Sequence, residues 1–343
     1  MIQLLITFGA FAFVVSFFST LFVRYFATKC GILDKPLHPK NVHTHAIPRL
    51  GGLAIFFAVA LAVIISLVSS HWLTSGSITL HQYIGFLVGA LVLMIGGFVD
   101  DKFDLPPRFA IVSPLVATIV VIAFGVNIAK LTNPFGGIIE LTRLQSDVIV
   151  FVWLMIVMYT TKFLDGLDGL ATSVTSVGAL MVLLLSITVA YFQPDVALLA
   201  AIVIGAELGF LFWNFHPASI FLGEGGSTLV GYFLGMLAVI SGGKLATALL
   251  VLGIPLLDVI WIIVRRFRVG GFKQIFVGDR KHLHHRLLDR GWSQQQIVLF
   301  YVFVATTFGL LTLFLQSRDK IVALVILVVM MFLAAAFFSR KES

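Results

Sequence analysis

Four short stretches of this 343-residue chain carry the residue types that chemistry needs. The first, Gly96-Gly97-Phe98-Val99-Asp100-Asp101-Lys102-Phe103-Asp104, sets two carboxylates side by side ahead of Pro106-Pro107. Adjacent acids repel, and a divalent cation or a cationic ligand between them lowers their energy, so the pair is a metal or general-base candidate. Taken alone, an Asp-Asp is more simply a solvated turn. The second, Lys162-Phe163-Leu164-Asp165-Gly166-Leu167-Asp168-Gly169-Leu170, spaces two acids three apart, each followed by glycine. On a helical turn both carboxylates face one side, and the glycines let a ligand approach the backbone; two Asp-Gly turns would look the same. The third runs from Asn214 to Thr228, where Glu224-Gly225-Gly226-Ser227-Thr228 opens an apolar run. That is the pattern of a helix N-terminus whose free N–H groups accept an anion, with Glu224 placed to hold a cation against it; an ordinary capped helix start is the plainer alternative. The fourth, Asp279-Arg280-Lys281-His282-Leu283-His284-His285-Arg286, is a cationic patch suited to a diphosphate. Zinc is its rival there, disfavoured by the basic neighbours.

The elements that must position these stretches are membrane helices. The chain is 59% hydrophobic and 11% charged, with 33 Phe and a mean hydropathy of +1.07. Soluble domains carry about 25% charged residues, so a soluble enzyme, a nucleic-acid-binding domain and a disulfide-built module are excluded. One cysteine, Cys30, forms no intrachain disulfide and no cysteine metal site. Apolar runs predict eleven transmembrane helices near 2–26, 50–70, 82–98, 108–127, 146–163, 170–191, 196–214, 226–240, 244–265, 297–315 and 321–339. The first lacks a basic n-region and is read as a retained helix. With the N-terminus outside, 18 of the 23 Lys and Arg fall on the cytoplasmic side, as the positive-inside rule requires. The C-terminus is then cytoplasmic as well. The outer loop from Lys130 to Asp147 has room for a small hairpin. The expected fold is therefore an all-α polytopic membrane protein, residues 1–343 forming a single integral membrane catalytic domain.

Helix parity brings the four stretches to one membrane face. Carboxylates for a divalent ion, cations and N–H groups for phosphate oxygens, and a bilayer able to deliver a lipid together read as phosphoryl-transfer equipment. A transporter or flippase would instead gather its acids near the midplane on broken helices. Glu207 and Asp258, about 10 Å inside their helix ends, are buried ionisable groups. Glu207 reads as a hydrogen-bonded packing partner. His216 reads as a surface or cap residue, and Trp72, Trp153, Trp213, Trp261 and Trp292 as interface anchors.

These stretches resemble the polyprenyl-phosphate N-acetylhexosamine-1-phosphate transferases of glycosyltransferase family 4. The resemblance extends to Asp34-Lys35-Pro36, Ile47-Pro48-Arg49-Leu50-Gly51-Gly52 and Pro255-Leu-Leu-Asp258. The Pro-Arg-Leu-Gly-Gly and Asp-Arg-Lys-His-Leu-His-His forms look more like the undecaprenyl-phosphate GlcNAc branch than the phospho-MurNAc-pentapeptide branch. The resemblance implies transfer of an amino-sugar 1-phosphate from a UDP-amino sugar to a polyprenyl phosphate in the lipid bilayer, releasing UMP. The implied ion is Mg²⁺, with Mn²⁺ as a substitute; nucleic acid has no part, and a homodimer is compatible. By the same resemblance Asp100, Asp101, Asp165 and Asp168 are catalytic, and Asp165, Asp168 and Glu224 hold the metal. Substrate contacts fall to Lys35, Arg49, Lys102, Lys162, Asn214, Gly225, Ser227, Asp258, Arg280, His282, His284 and His285. Lys162 stands where the family usually has Asn, and Glu224 where it usually has Asp. The expectation is compensation, Glu224 reaching the ion from one methylene further while Lys162 contacts a phosphate oxygen.

Overall fold

The computed structural model describes residues 1–36, 45–133, 136–242, 244–274 and 282–339. Every apolar run predicted to cross the bilayer is helical. The helices are α1 (Ile2–Lys29), α2 (Gly51–Ser69), α3 (Leu80–Phe103), α4 (Pro107–Ala110), α5 (Val112–Ala123), α6 (Arg143–Leu164) and α7 (Leu170–Ser186). They continue with α8 (Pro194–Asn214), α9 (Gly223–Ile240), α10 (Leu245–Val251), α11 (Gly253–Gln274), α12 (Leu283–Leu288), α13 (Gln294–Phe314) and α14 (Ser317–Ser339). Among the described residues seven helices are long and apolar enough to cross a membrane, and an eighth span is possible if α10 and α11 are counted together. The predicted count of eleven is therefore matched run for run by helices but not by full-length spans. The 108–127 run is broken near Ile111 into α4 and α5, α7 is short, and the 244–265 run bends by 76° between Val251 and Gly253.

Local sequence explains where the helices start. Thr79 with Gln82, Thr142 with Gln145 and Ser293 with Gln296 form reciprocal capping boxes, each satisfying first-turn amides that the helix leaves open. The hairpin expected after α5 is present: β3 (Lys130–Thr132) pairs antiparallel with β4 (Ile138–Glu140). It lies at the end of the bundle opposite the C-termini of α3 and α6. A second antiparallel pair joins β1 (Leu33–Asp34) to β2 (Ile47–Pro48) ahead of α2.

α9 is the axis of the bundle: 83% of its apolar window is inside the protein, against 22% for α1. It packs on α2, α3, α6 and α7. Its first turn comes closest. A Cβ on Gly97 would sit 2.1 Å from the Gly225 Cα, and one on Gly52 2.3 Å from the Gly226 Cα. Only glycine permits backbones to approach so nearly, so the start of α9 is wedged between the end of α3 and the start of α2. Backbone bonds fasten the wedge: Gly51 and Gly52 N–H donate to Phe221 and Leu222 C=O at 2.9 Å each, and Phe221 N–H to Pro48 C=O at 2.8 Å. Deeper in the bundle, several buried polar groups are paired across helices. The Tyr232 hydroxyl donates to Phe86 C=O at 2.9 Å and the Trp153 indole to Gly235 C=O at 3.0 Å. Trp153 is thus a core residue, not an interface anchor, because its N–H finds a carbonyl inside the bundle. Glu207 is also buried, accepting from Ser176 Oγ at 2.8 Å and Thr175 Oγ1 at 3.2 Å, as a packing partner should.

Candidate active site

The end of α3, the end of α6, the α6–α7 turn, the end of α8 and the starts of α2, α9 and α13 meet at one end of the bundle. They enclose a cavity of about 270 Å³. Nine of the sequence-predicted site residues line it: Arg49, Asp101, Lys162, Asp165, Asp168, Asn214, Glu224, Ser227 and His285. Asp34, Gly166, Leu167, Phe221, Gly223 and Gln294 complete it.

Each charged group has a defined partner, with one exception. Asp101 points at the first turn of α9 and accepts the Glu224 N–H with both oxygens at 3.1 Å. Arg49 donates to Asp34 at 2.7 Å and lies 3.5 Å from Asp104, which ends α3 in the left-handed region. Burial works against the Arg49 charge, but the bond to Asp34 and the nearby Asp101 and Asp104 more than offset it and raise its pKa. Lys162 Nζ lies 2.5 Å from Glu224 Oε2. Asp168 Oδ2 is 2.6 Å from His216 Nδ1 and accepts the Ala218 N–H at 3.1 Å. Its own N–H donates to Gln294 Oε1 at 3.2 Å. Asp165 is the exception: among the described residues its carboxylate has no hydrogen bond or ion pair. Burial, and then the charges of Glu224, Asp101 and Asp168, push Asp165 well above the usual carboxylate range.

Several expectations need correction. The α9 N-terminus is not an open anion cradle, because Asp101 already caps it and Gly97 and Gly52 cover Gly225 and Gly226. Gly225 is a packing glycine, and the Ser227 hydroxyl turns back to Glu224 C=O at 3.1 Å. The histidines do not act as three cations. His284 is buried, and burial together with His285 and His282 holds it well below the ordinary imidazole range, so it is neutral. His282 Nδ1 meets Asp258 Oδ2 at 2.8 Å while Leu283 N–H donates to Asp258 Oδ1 at 3.0 Å. Asp258 therefore anchors α12 and presents no oxygen to the cavity. His285 alone of the three lines it. Arg280 lies outside the described residues, and Lys35 and Lys102 do not line the cavity, the latter resting 5.3 Å over the Phe103 ring. Asp165, Asp168 and Glu224 share the cavity without forming a ready-made metal cage; among the described residues no three acids or histidines do. The cause is visible in the pairs, since Asp168 is turned to His216 and Glu224 to Lys162.

Asp100 does not line this cavity, though it stands beside two residues that do. Its Oδ1 accepts Leu105 N–H at 3.0 Å, its other oxygen has no hydrogen bond among the described residues, and it interacts electrostatically with Glu224 and Lys162. Asn214 spans the floor, donating to Ile220 C=O at 3.0 Å and accepting from Thr172 at 3.3 Å. The sequence reading missed His216 and Gln294. His216 sits in the Asn214–Thr228 stretch already singled out, two residues from Asn214, and that proximity was the available signal. For Gln294 there was none beyond the cap of α13.

Known proteins are similar to this chain over most of its length. A family model described as glycosyl transferase family 4 matches residues 83–242, which hold both aspartate clusters, Lys162, Asn214 and Glu224. The chain is 30% identical to a probable undecaprenyl-phosphate N-acetylglucosaminyl 1-phosphate transferase of Bacillus subtilis, over 93% of this chain and 88% of that protein. It is 32% identical to a decaprenyl-phosphate N-acetylglucosaminephosphotransferase of Mycobacterium tuberculosis, over 91% and 83%. An undecaprenyl-phosphate alpha-N-acetylglucosaminyl 1-phosphate transferase of Thermotoga maritima is 28% identical over 88% and 87%. With that similarity running through most of its length and the matched motifs meeting at one cavity, the chain belongs to glycosyl transferase family 4.

Proposed function

We propose that this chain transfers N-acetylglucosamine 1-phosphate from UDP-GlcNAc to a polyprenyl phosphate and releases UMP, the first lipid-linked step toward a cell-wall or surface polysaccharide. The observation that carries this reading is the cavity itself, where helix ends far apart in sequence bring acids, Arg49 and Lys162 to one end of a membrane bundle. In the reaction a phosphate oxygen of the lipid attacks the sugar-linked phosphorus, and the bond from that phosphorus to UMP breaks. Asp100 is the better candidate to position or deprotonate the lipid phosphate, because Asp101 is engaged by the first turn of α9. Arg49, fixed by Asp34, offers a charged donor to the donor's phosphates. Asp168, held by His216 and Gln294, shapes the opposite wall.

The donor set suits a divalent cation. Asp165, lacking a cationic partner among the described residues and pressed by three neighbouring carboxylates, is the position where positive charge is missing. Asp165 and Glu224 would hold Mg²⁺, or Mn²⁺ in its place, with Asp168 turned to His216. The ion would neutralise charge on the phosphates as the transferred group passes between oxygens. The positive-inside distribution supports eleven membrane segments, the N-terminus outside, and the cavity at the cytoplasmic face of the plasma membrane. The test is UMP release from UDP-GlcNAc in detergent with Mg²⁺, with and without undecaprenyl phosphate, beside UDP-MurNAc-pentapeptide as donor. Release that needs GlcNAc, lipid phosphate and metal supports the reading. No release from either donor removes it.

A further inference from the structure

The ion pair between Lys162 and Glu224 is unlike the other contacts of the cavity. Glu224 Oε2 is buried and accepts no hydrogen bond by regular geometry, yet the Lys162 ammonium sits 2.5 Å away. Lys162 comes from the last turn of α6 and Glu224 from the first turn of α9, two helices packed along their lengths, so the pair is set by the fold. Asp100 and Tyr159 lie close enough to interact with the same ammonium, and both the lysine and the glutamate line the cavity. The ammonium thus covers an oxygen of one of the two carboxylates assigned to the divalent ion, while Asp165 lacks any cation among the described residues.

A carboxylate oxygen shared by an ammonium and a divalent ion brings like charges within a few Å of each other, where repulsion is strong at the effective dielectric of a protein interior. One of the two must withdraw. Lysine is a compact charge on a flexible four-carbon stem, so it can swing where a rigid guanidinium would not. A phosphate oxygen entering the cavity is a better destination for it than water.

We propose that Lys162 is a tethered counter-cation that competes with the divalent ion for Glu224 and yields when a diphosphate enters the cavity and accepts the ammonium. The proposal rests on the metal-dependent reading above. It makes the ion and the diphosphate bind with positive coupling, each strengthening the other by the same factor.

The test reads Mn²⁺ binding directly, from the spectrum of free Mn²⁺ in titrations of purified full-length protein in detergent, with UDP as the probe diphosphate. Lys162→Gln, which removes the charge, binds Mn²⁺ at least about tenfold more tightly than the unaltered chain when UDP is absent, since a full positive charge has left the ligand. Lys162→Met serves as a second neutral variant should the first not fold. Lys162→Arg keeps the charge and the weak binding. UDP strengthens Mn²⁺ binding more in the unaltered chain than in either neutral variant. Equal Mn²⁺ affinity in Lys162→Gln, Lys162→Met and the unaltered chain overturns the proposal, as does an equal gain from UDP in all of them. If those results accompany intact Mg²⁺-dependent UMP release, only the role of Lys162 is lost. Absence of Mn²⁺ binding in every variant overturns this inference and the metal assignment together.

Discussion

Gly97→Ala should disable the site from a position that touches no substrate. A Cβ at Gly97 would lie 2.1 Å from the Gly225 Cα and 2.5 Å from the Gly225 nitrogen. Carbon atoms rest at about 3.5–4.0 Å, so the end of α3 and the start of α9 must separate by roughly 1.5 Å. Both contacting atoms are backbone, and no rotamer change relieves them. Overpacking of this kind costs about 1–3 kcal/mol of stability. The larger effect is on geometry, because the first turn of α9 carries Glu224 and is tied to α3 by the Asp101 carboxylate. A displacement of about 1 Å in catalytic groups costs on the order of 100-fold in rate. The expected result is therefore a loss of roughly two orders of magnitude in UMP release with only a modest fall in melting temperature. Gly235→Ala is the matched control in the same helix, since its nearest neighbour is the end of the Leu154 side chain at 2.9 Å, which can turn aside. It should keep turnover within about twofold, as a site-distant change that a flexible side chain absorbs. A Gly97→Ala enzyme as fast as the unaltered one would refute the wedge as the device that places Glu224.

Three further outcomes follow from the pairs in and near the cavity. His216→Ala removes the Nδ1 partner of Asp168 and should lower kcat/KM for UDP-GlcNAc by about tenfold, roughly one hydrogen bond to a charged group. His216→Asn, which can still donate, should recover part of it, and equal loss in both variants would deny Asp168 that support. Glu207→Ala strands the Ser176 hydroxyl, while Thr175 keeps its backbone acceptors, and leaves a void, lowering the melting temperature, while KM stays unchanged and Glu207→Gln is mild; a KM effect would argue for a catalytic role instead. The third outcome concerns pH. Asp165 is raised well above its ordinary value near 3.8, so between that value and the raised one the folded chain holds a proton that the unfolded chain has released. Without metal, stability falls as pH rises through this window. A divalent ion binds the deprotonated form, so Mg²⁺ should raise the melting temperature more at pH 8 than at pH 6; the reverse order would remove Asp165 from the metal site.

The helices were legible because hydrophobic run length is a local property, and the expectation that the acids gather in one place is met by a single cavity at one end of the bundle. The bend at Gly253 was marked by Gly253 and Pro255 within an otherwise continuous apolar run, where hydropathy outweighed them in the reading. Pairings inside the cavity were another matter. Asp168 and His216 are 48 residues apart, and Lys162 and Glu224 meet only because α6 and α9 pack along their lengths. Nothing in a single sequence says that Asp101 will reach the first turn of α9. The free N-terminus foreseen there was chemically sound, since any anion is attracted to those amides. The protein's own carboxylate takes the place because the glycine wedge holds it within reach.

That substitution changes what the cavity requires. Among its described lining residues stand five carboxylates, Asp34, Asp101, Asp165, Asp168 and Glu224, against two permanent cations, Arg49 and Lys162. Both cations are already committed, to Asp34 and to Glu224. A nucleoside diphosphate sugar brings further negative charge, and the helix terminus suited to it is closed by Asp101. Anion binding in such a place is unfavourable unless positive charge arrives with it. A divalent ion near Asp165 supplies that charge, and release of Lys162 from Glu224 would add to it. The consequence is testable without turnover: UDP should bind the chain measurably with Mg²⁺ and lose most of its affinity in a chelator. Tight UDP binding in the chelator would mean that a cation outside this set carries the phosphates, and the carboxylates would need another purpose.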